Sequence, residues 1–395
     1  MNICGIVCEF NPFHNGHRYL IDACRAHLGA DSAVVCVMSG DFVQRGEAAA
    51  FLKHDRARAA VASGADLVLE LPLPWCMATA QTFARGAVGL LDATGVVTHL
   101  CFGSESGDLP GLIQTARALA APELDALLRA ELERGIGYAA ARQRALEALT
   151  GTEQTALTQP NDILAVEYLR TMETQGMNMT PFCVKRRGAG HDSASDGAML
   201  SGLSLRQMMR RGEDVSDRMP EGAYAALTGG AGLLSAERIE TALLSRLRAL
   251  PPEAYACAPD VSEGLENRIY AAARTEATLE AIADRVSTKR YPRARVRRIL
   301  VSAALGLREE DGAGIPPYLR PLAANGRGLA LLREMAGRAS IPVLTKSAHV
   351  RDMGERALRV FTLTAAAEDL CVLGAERVGD RRGDRDWRSA PVVLD

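Results

Sequence analysis

An apolar run from Ile3 to Val7 is followed by Glu9-Phe10-Asn11-Pro12-Phe13-His14-Asn15-Gly16-His17 and then by Tyr19-Leu20-Ile21. Five apolar residues make a strand-length segment, Pro12 cannot continue a ladder, and the pattern reopens with helical spacing. A strand that leads at once into a helix predicts a βα unit and a parallel sheet. The stretch is also chemically pointed. Gly16 lets a ligand approach the backbone, the helix start offers unpaired N–H groups, and two imidazoles can donate to phosphate oxygens as charge develops on them. A helix cap with incidental histidines is the plainer reading of the same positions.

The alternation continues to about Gly107. Ala33–Met38, Asp66–Leu71 and Val96–Phe102 read as strands, with His14–Leu28, Asp55–Ser63 and Ala78–Ala93 as helices between them. Such connections imply right-handed crossovers in an α/β fold, whose ligands sit beyond the carboxyl ends of the strands. The second strand ends in Ser39-Gly40-Asp41-Phe42-Val43-Gln44-Arg45-Gly46-Glu47, where Arg45 suits a carboxylate or phosphate; a solvated loop has the same composition. The fourth ends in Gly103-Ser104-Glu105. There the missing Cβ lets an adenine or ribose lie against the backbone, or an ordinary turn begins the next helix. Residues 108–158 read as helical without evident chemistry. Pro160-Asn161-Asp162 opens another helix, Ile163 to Arg170, with Asn161 or Asp162 as its cap or Asn161 as a nucleotide contact.

Phe182-Cys183-Val184 predicts a fifth strand, and Lys185-Arg186-Arg187-Gly188 at its end an anion clamp for β- and γ-phosphates. Ser201-Gly202-Leu203-Ser204-Leu205-Arg206 then starts a helix, either a second phosphate-binding element or a Ser-capped surface helix. From about Pro220 to Gly306 the spacing is helical. Val296, Ile299, Leu300, Ala303, Ala304 and Leu307 share one face, while Arg285, Lys289, Arg290, Arg293, Arg295, Arg297 and Arg298 load the others. Phosphate-backbone contact is one use of such a patch, and a solvated helical face is the alternative. After Pro316-Pro317 the pattern suggests a small C-terminal lobe with a charged, mobile tail from Arg377 to Asp395. The expected division is therefore 1–215, 216–310 and 311–395.

Composition narrows the class. The chain has 395 residues, 48% of them hydrophobic, enough for a sizeable core. A formal net charge of −2 gives no general pull toward nucleic acid, so RNA contact must be local, and DNA is not an expected partner. The nine cysteines form no Cys-x-x-Cys pair, which predicts buried free thiols in a reducing cytoplasm rather than zinc or disulfides. No apolar run is long enough to span a bilayer, so no membrane partner is expected. Of 46 basic residues only four are lysines (Lys53, Lys185, Lys289 and Lys346), and a compact ammonium does what a planar guanidinium cannot.

With these segments in order, the sequence resembles the bacterial tRNA(Met) cytidine acetate ligase family, within the HxGH-type nucleotidylyltransferase superfamily. The resemblance covers most of the chain. It rests on Glu9 to His17, Ser39 to Glu47, Asp66–Pro72, Pro160 to Ala165, Lys185 to Gly188, Glu263 to Arg268 and Thr288-Lys289-Arg290-Tyr291. It implies a Rossmann-like, HUP-type nucleotidylyltransferase domain followed by a mainly helical C-terminal region. The implied activity is ATP-dependent: acetate is activated as acetyl-adenylate, and the acetyl group passes to N4 of the wobble cytidine of elongator tRNA(Met).

For ATP the resemblance implies Val7, Cys8, Glu9, Phe10, Asn11, Pro12, Phe13, Asn15, Gly16, Arg18, Tyr19 and Leu20, then Gly103, Asn161, Arg186 and Arg187. His14 and His17 would stabilise the α-phosphate and departing pyrophosphate, and Arg186, Arg187 and Arg206 would hold the polyphosphate. Asp41 is a candidate base or cytidine contact, and Lys289, Arg290, Arg293, Arg297 and Arg298 are candidate tRNA contacts. Magnesium is expected with ATP, its ligands mostly nucleotide oxygens and water, since no carboxylate cage is visible. Leu203 in place of a hydroxyl, Gly190 in place of an aromatic before His191-Asp192, and Ala48 in place of proline depart from the family pattern.

Two other readings share part of this pattern. An adenylyltransferase making a dinucleotide or coenzyme would use the histidine loop but leave Arg285–Arg298 idle. A non-catalytic, ATP-responsive RNA-binding protein would tolerate alanine at His14 and His17.

Overall fold

The computed structural model describes residues 1–151, 157–186, 200–262 and 264–395. The five expected strands are present as β1 (Ile3–Cys8), β2 (Ala33–Ser39), β5 (Leu67–Leu71), β6 (His99–Ser104) and β7 (Thr180–Lys185). A short hairpin, β3 (Phe42–Val43) with β4 (Glu47–Ala48), follows β2. Side chains leave the strands alternately. Ile3, Val35, Val37, Leu67, Leu69, Leu71, Leu100 and Phe102 enter the core on one face, and Cys4, Ile6, Val34, Cys36, Met38, Val68 and Cys101 on the other. Burial of both faces is what a parallel sheet flanked by helices demands, and it accounts for the nearly continuous apolar runs in the sequence.

The helices, in chain order, are α1 (Asn15–Leu28), α2 (Lys53–Ala62), α3 (Ala80–Ala93), α4 (Leu109–Ala120), α5 (Glu123–Glu133), α6 (Tyr138–Thr150), α7 (Pro160–Gln175) and α8 (Gly202–Arg210). They continue with α9 (Glu221–Gly229), α10 (Ala236–Ala249), α11 (Pro252–Ala256), α12 (Leu265–Thr275), α13 (Leu279–Val286), α14 (Arg293–Leu305), α15 (Gly326–Arg338) and α16 (Glu355–Cys371). The apolar sides of α1, α2 and α9 cover one face of the sheet through Ile21, Cys24, Ala57, Ala60, Val61, Ala223 and Leu227. The other face carries α3 and α7, and its core runs on without a break into α10, α12, α13, α14 and α16. All nine cysteines are free thiols, and six of them are buried.

With β8 (Pro321–Ala324) and β9 (Val392–Val393) added, the sheet order is β7-β6-β1-β2-β5-β8-β9. The chain runs outward from β1 to β2 and β5, then returns to place β6 on the other side of β1. That reversal opens a crevice at the carboxyl ends of β1 and β6, where an α/β sheet binds its ligand. The two outer strands correct the expected C-terminal lobe. β8 pairs antiparallel with β5, and β9 pairs with β8, so the last segment completes the main sheet.

The tail is anchored by charge. Asp386 is 1% exposed and meets Lys53 Nζ at 2.5 Å and Arg320 Nη2 at 2.8 Å, inside a cluster that also holds Asp41, Glu70 and Glu368. A buried ammonium requires counter-charges, and the segment expected to be mobile supplies one of them.

Candidate active site

His14 is the N-cap of α1 in extended conformation, and its Nδ1 accepts from Gly16 N at 3.0 Å. In return His17 Nδ1 accepts from His14 N at 3.2 Å. The two rings stack with centroids 3.8 Å apart. With both Nδ1 atoms used as acceptors, the neutral rings carry their protons on Nε2, leaving two N–H donors for a ligand. Gly16 is required for this cap, because a Cβ there would stand 2.9 Å from the His14 ring. Phe10 and Phe13 are buried and pack against His17 with ring centroids 4.9 and 5.5 Å away, so they hold the imidazole from beneath. Phe10 has φ of 44°, a left-handed conformation costly for a residue with a Cβ, at the turn between strand and helix.

Two other chain segments meet this loop. Arg186 continues the β7 ladder by donating its backbone N–H to Ser104 O at 2.9 Å, and its side chain passes beside Gly103, where a Cβ would lie 3.5 Å from its Cγ. From the opposite side, α8 begins at Ser201, whose Oγ accepts from Ser204 N at 3.1 Å. Arg206 in its first turns donates to Asn11 O at 2.7 Å. The crevice is therefore rimmed by two helix N-termini, two imidazoles and two guanidiniums.

Burial, and then the Arg186 guanidinium, hold His14 down to about 4; burial, His14 and Arg186 hold His17 well below its ordinary value. Both are neutral donors at pH 7. The unfolded chain takes up a proton at His14 below pH 6.5 while the folded chain resists until about pH 4, so acid favours unfolding across that window. At pH 5 His14 should contribute a loss of about 2 kcal/mol relative to pH 7. Urea melts of the wild type and His14→Gln at both pH values measure it; an equal pH dependence in the two would contradict the depressed value.

Several expected contacts have other roles in the structure. Asn11 Oδ1 accepts from Ala50 N at 2.8 Å and ties the loop to the segment after β4, while Pro12 is buried beside it. Val7 and Cys8 are half-buried at the end of β1, and Tyr19 and Leu20 are half-buried on α1. Asn15 reaches Asp217 O, and Arg18 pairs with Asp22 at 2.8 Å, pointing along α1 rather than to its start. Neither Asn161 nor Asp162 is the cap of α7, which is Gln159. Instead Glu105 accepts from Asn161 N, Asn161 Nδ2 and Asp162 N, and the Asp162 carboxylate accepts from Ser104 Oγ, Glu105 N and Ser106 N. This reciprocal clasp fixes the turn after β6. Arg187, Gly190 and His191 lie outside the described residues.

Asp41 is the clearest correction. It is 3% exposed, accepts from Lys53 N at 3.0 Å and faces Lys53 Nζ at 3.3 Å, so it serves the buried charge cluster rather than a cytidine. The basic helix is the second. Arg293 pairs with Glu280 and Asp284 at 2.6 and 2.9 Å, Arg297 with Glu280 and Glu47 at 2.5 and 3.3 Å, and Arg298 with Asp260 at 3.7 Å. Carboxylates from α13, the hairpin and the turn after α11 thus neutralise much of what looked like a free cationic face. Lys289 and Arg290 are solvent-exposed just before α14.

The sequence reading missed two organising residues. Arg56 is fully buried and donates to the carbonyls of Glu9 at 2.6 Å, Ser39 at 3.1 Å, Phe51 at 3.0 Å and Gly40, pinning the ends of β1 and β2 together. Glu47 bridges Arg206 at 3.5 Å and Arg297 at 3.3 Å, joining the nucleotide side to the basic helix. Arginine at an apolar helical position was the available signal for the first; nothing local marks the second.

Among the described residues, the His, Cys, Asp and Glu groups close enough to share a metal ion are Cys4, Cys24 and Cys101 in the core, and His54, Glu368 and Asp386 near Lys53. Neither set lines the histidine crevice, so magnesium brought with a nucleotide would rely on phosphate oxygens and water there. No helix among the described residues is long and apolar enough to cross a membrane.

The model of the HIGH Nucleotidyl Transferase family matches residues 1–386. The chain is 34% identical to the tRNA(Met) cytidine acetate ligase of Acetivibrio thermocellus across the whole of both proteins. It is 37% identical to that of Syntrophotalea carbinolica, over 89% of this chain and 86% of the other. It is also similar to the crystal structure of apo Thermotoga maritima TmcAL, with 32% identity, a TM-score of 0.93 and complete coverage of both chains. The same enzyme bound to alpha-thio ATP gives a TM-score of 0.91.

Proposed function

The chain belongs to the HIGH nucleotidyl transferase family, among its tRNA(Met) cytidine acetate ligases, and from that premise we propose how its crevice performs the ligase reaction. ATP lies with its α-phosphate at the start of α1. Acetate attacks that phosphorus, pyrophosphate leaves, and acetyl-adenylate remains; the N4 amine of the wobble cytidine of elongator tRNA(Met) then takes the acetyl group and AMP departs. Acetate and the triphosphate repel each other, so the site has to supply positive potential and fixed donors where negative charge grows. His14 and His17 provide two preset Nε2–H donors at the α-phosphate, and Arg186 and Arg206 neutralise the departing pyrophosphate. Magnesium, carried by the nucleotide, would screen the same oxygens. An acceptor of this kind supports a cytoplasmic site of action.

The single observation that carries this reading is the stacked imidazole pair with both Nδ1 atoms occupied, beside Arg186. Acetate-dependent exchange of pyrophosphate into ATP, followed by mass analysis of anticodon nucleosides, tests it. Absence of acetate stimulation together with absence of N4-acetylcytidine would sink the ligase reading and leave a plain adenylyltransferase or a non-catalytic protein.

Exposed Lys289 and Arg290 are the proposed phosphate contacts at the N-terminal approach to α14. The pair Lys289→Glu and Arg290→Glu should weaken tRNA binding and reduce the slope of log affinity against log salt by about 2. Acetate-dependent exchange should remain. An unchanged salt slope would place the tRNA elsewhere.

A further inference from the structure

Along the carboxyl edge of the sheet, the next crevice after the histidine loop lies beyond β2 and β5. There a cavity of about 480 Å³ opens between the segment that follows β5, the turn after α11, and α14 with the stretch that follows it. Pro74 and Met77 form an apolar wall, Thr79 and Thr82 offer hydroxyls, and Asp260 and Arg298 stand opposite. A second hollow, of about 500 Å³, lies around Arg25, Asp66 and Asn325 at the amino ends of the parallel strands, away from the histidines.

The β3–β4 hairpin borders both the first cavity and the nucleotide crevice. Gln44 Nε2 donates to Ala78 O at 2.9 Å on the cavity side, and Gly46 packs so closely on Arg298 that a Cβ would lie 2.8 Å from its backbone N. One residue on, Glu47 holds Arg206 of the nucleotide side.

The polar pair has a specific shape. Arg298 is 12% exposed, its contact with the Asp260 carboxylate is a loose 3.7 Å, and its buried Nε has no hydrogen-bond partner. Side by side, carboxylate and guanidinium present an acceptor followed by donors. The pairing edge of cytosine runs N4–H donor, N3 acceptor, O2 acceptor, which is the complement. Uracil would set its O4 against the carboxylate and its N3–H against the guanidinium. The ring faces of a pyrimidine would lie on Pro74 and Met77. A base can reach such a cavity only after leaving its stack, which an unpaired loop nucleotide does at low cost.

We propose that Asp260 and Arg298 read the acceptor base, the cavity receiving a pyrimidine nucleotide turned out of an RNA loop and selecting cytosine over uracil. The assignment rests on the ligase reading and names the part of the site that chooses the acceptor.

The test uses anticodon stem–loop RNAs with cytidine or uridine at the wobble position, titrated against the full-length protein. The wild type is expected to bind the cytidine loop about tenfold or more tightly than the uridine loop. In Asp260→Gly that ratio should collapse toward one. Asp260 has φ of 66°, which glycine adopts without strain, so the variant removes the carboxylate without burdening the backbone. Circular dichroism and a thermal melt verify its folding.

A second measurement needs no variant. Photocrosslinking of a loop carrying 5-iodocytidine at the wobble position should label peptides containing residues 74–85 or 259–260. A wild type without preference, an unchanged ratio in folded Asp260→Gly, or a crosslink confined to other peptides overturns the assignment. None of these readouts requires acetyl transfer, so they are separable from failure of the ligase reading, which appears as absent N4-acetylcytidine with the wild type.

Discussion

Alanine at His14 should lower acetate-dependent pyrophosphate exchange by about 10²–10³-fold, the usual consequence of deleting one preset donor to a developing oxyanion. Two effects combine. The Nε2–H is lost, and so is the acceptor for Gly16 N at 3.0 Å, leaving an orphaned donor at the first turn of α1. His17 does not compensate, because its ring is positioned by stacking on His14 at 3.8 Å. ATP affinity should fall far less than turnover, since Arg186 and Arg206 still neutralise the polyphosphate. His14→Gln retains an N–H donor and should recover part of the rate. Single-turnover formation of acetyl-adenylate separates the steps, and a His14→Ala enzyme with unimpaired adenylation would remove the imidazoles from the chemistry.

Methionine at Lys53 should be the most damaging single change to stability, costing about 3–5 kcal/mol, a large share of the 5–15 kcal/mol typical of a folded protein. Lys53 is fully buried, with Asp386 at 2.5 Å, Glu70 at 2.9 Å, Asp41 at 3.3 Å and Glu368 at 3.8 Å. Burial alone would pull the ammonium down, but these carboxylates outweigh it and hold Lys53 well above its ordinary value. Burial would likewise raise Asp386, yet Lys53 and Arg320 keep it well below. Glu368, pushed up to about 10 by burial, is a protonated acid at neutral pH and adds no charge to the cluster. Without the ammonium, the cation still in contact with Glu70 and Asp386 is Arg320. The urea midpoint of Lys53→Met measures the loss, and adding Asp386→Asn should return part of it. A Lys53→Met protein as stable as the wild type would mean that the cluster is not held by its charge.

Much of the candidate site was legible in the sequence because it is local. The strand, the proline break and a helix opening on His14, Gly16 and His17 occupy one short stretch, and the cap that orients the imidazoles forms between neighbours two and three residues apart. Arg186 and Arg206 were legible for a similar reason: one stands at the end of a strand and the other in the first turns of a helix, and the crossover rule brings such positions to the same edge.

The sequence determined the alternation of strand and helix, the parallel sheet and the histidine crevice, since periodicity and helix caps are properties of consecutive residues. Only the tertiary structure decided which charges are free to act. Asp41 looked exposed in a polar loop but faces Lys53, which also pairs with Asp386, 333 residues distant in the chain. Arg293 and Arg297 looked like a free cationic face until Glu280, Asp284 and Glu47 closed on them. Whether an ionic group binds a ligand or a neighbour depends on what lies within a few ångströms, and for these residues the fold sets that.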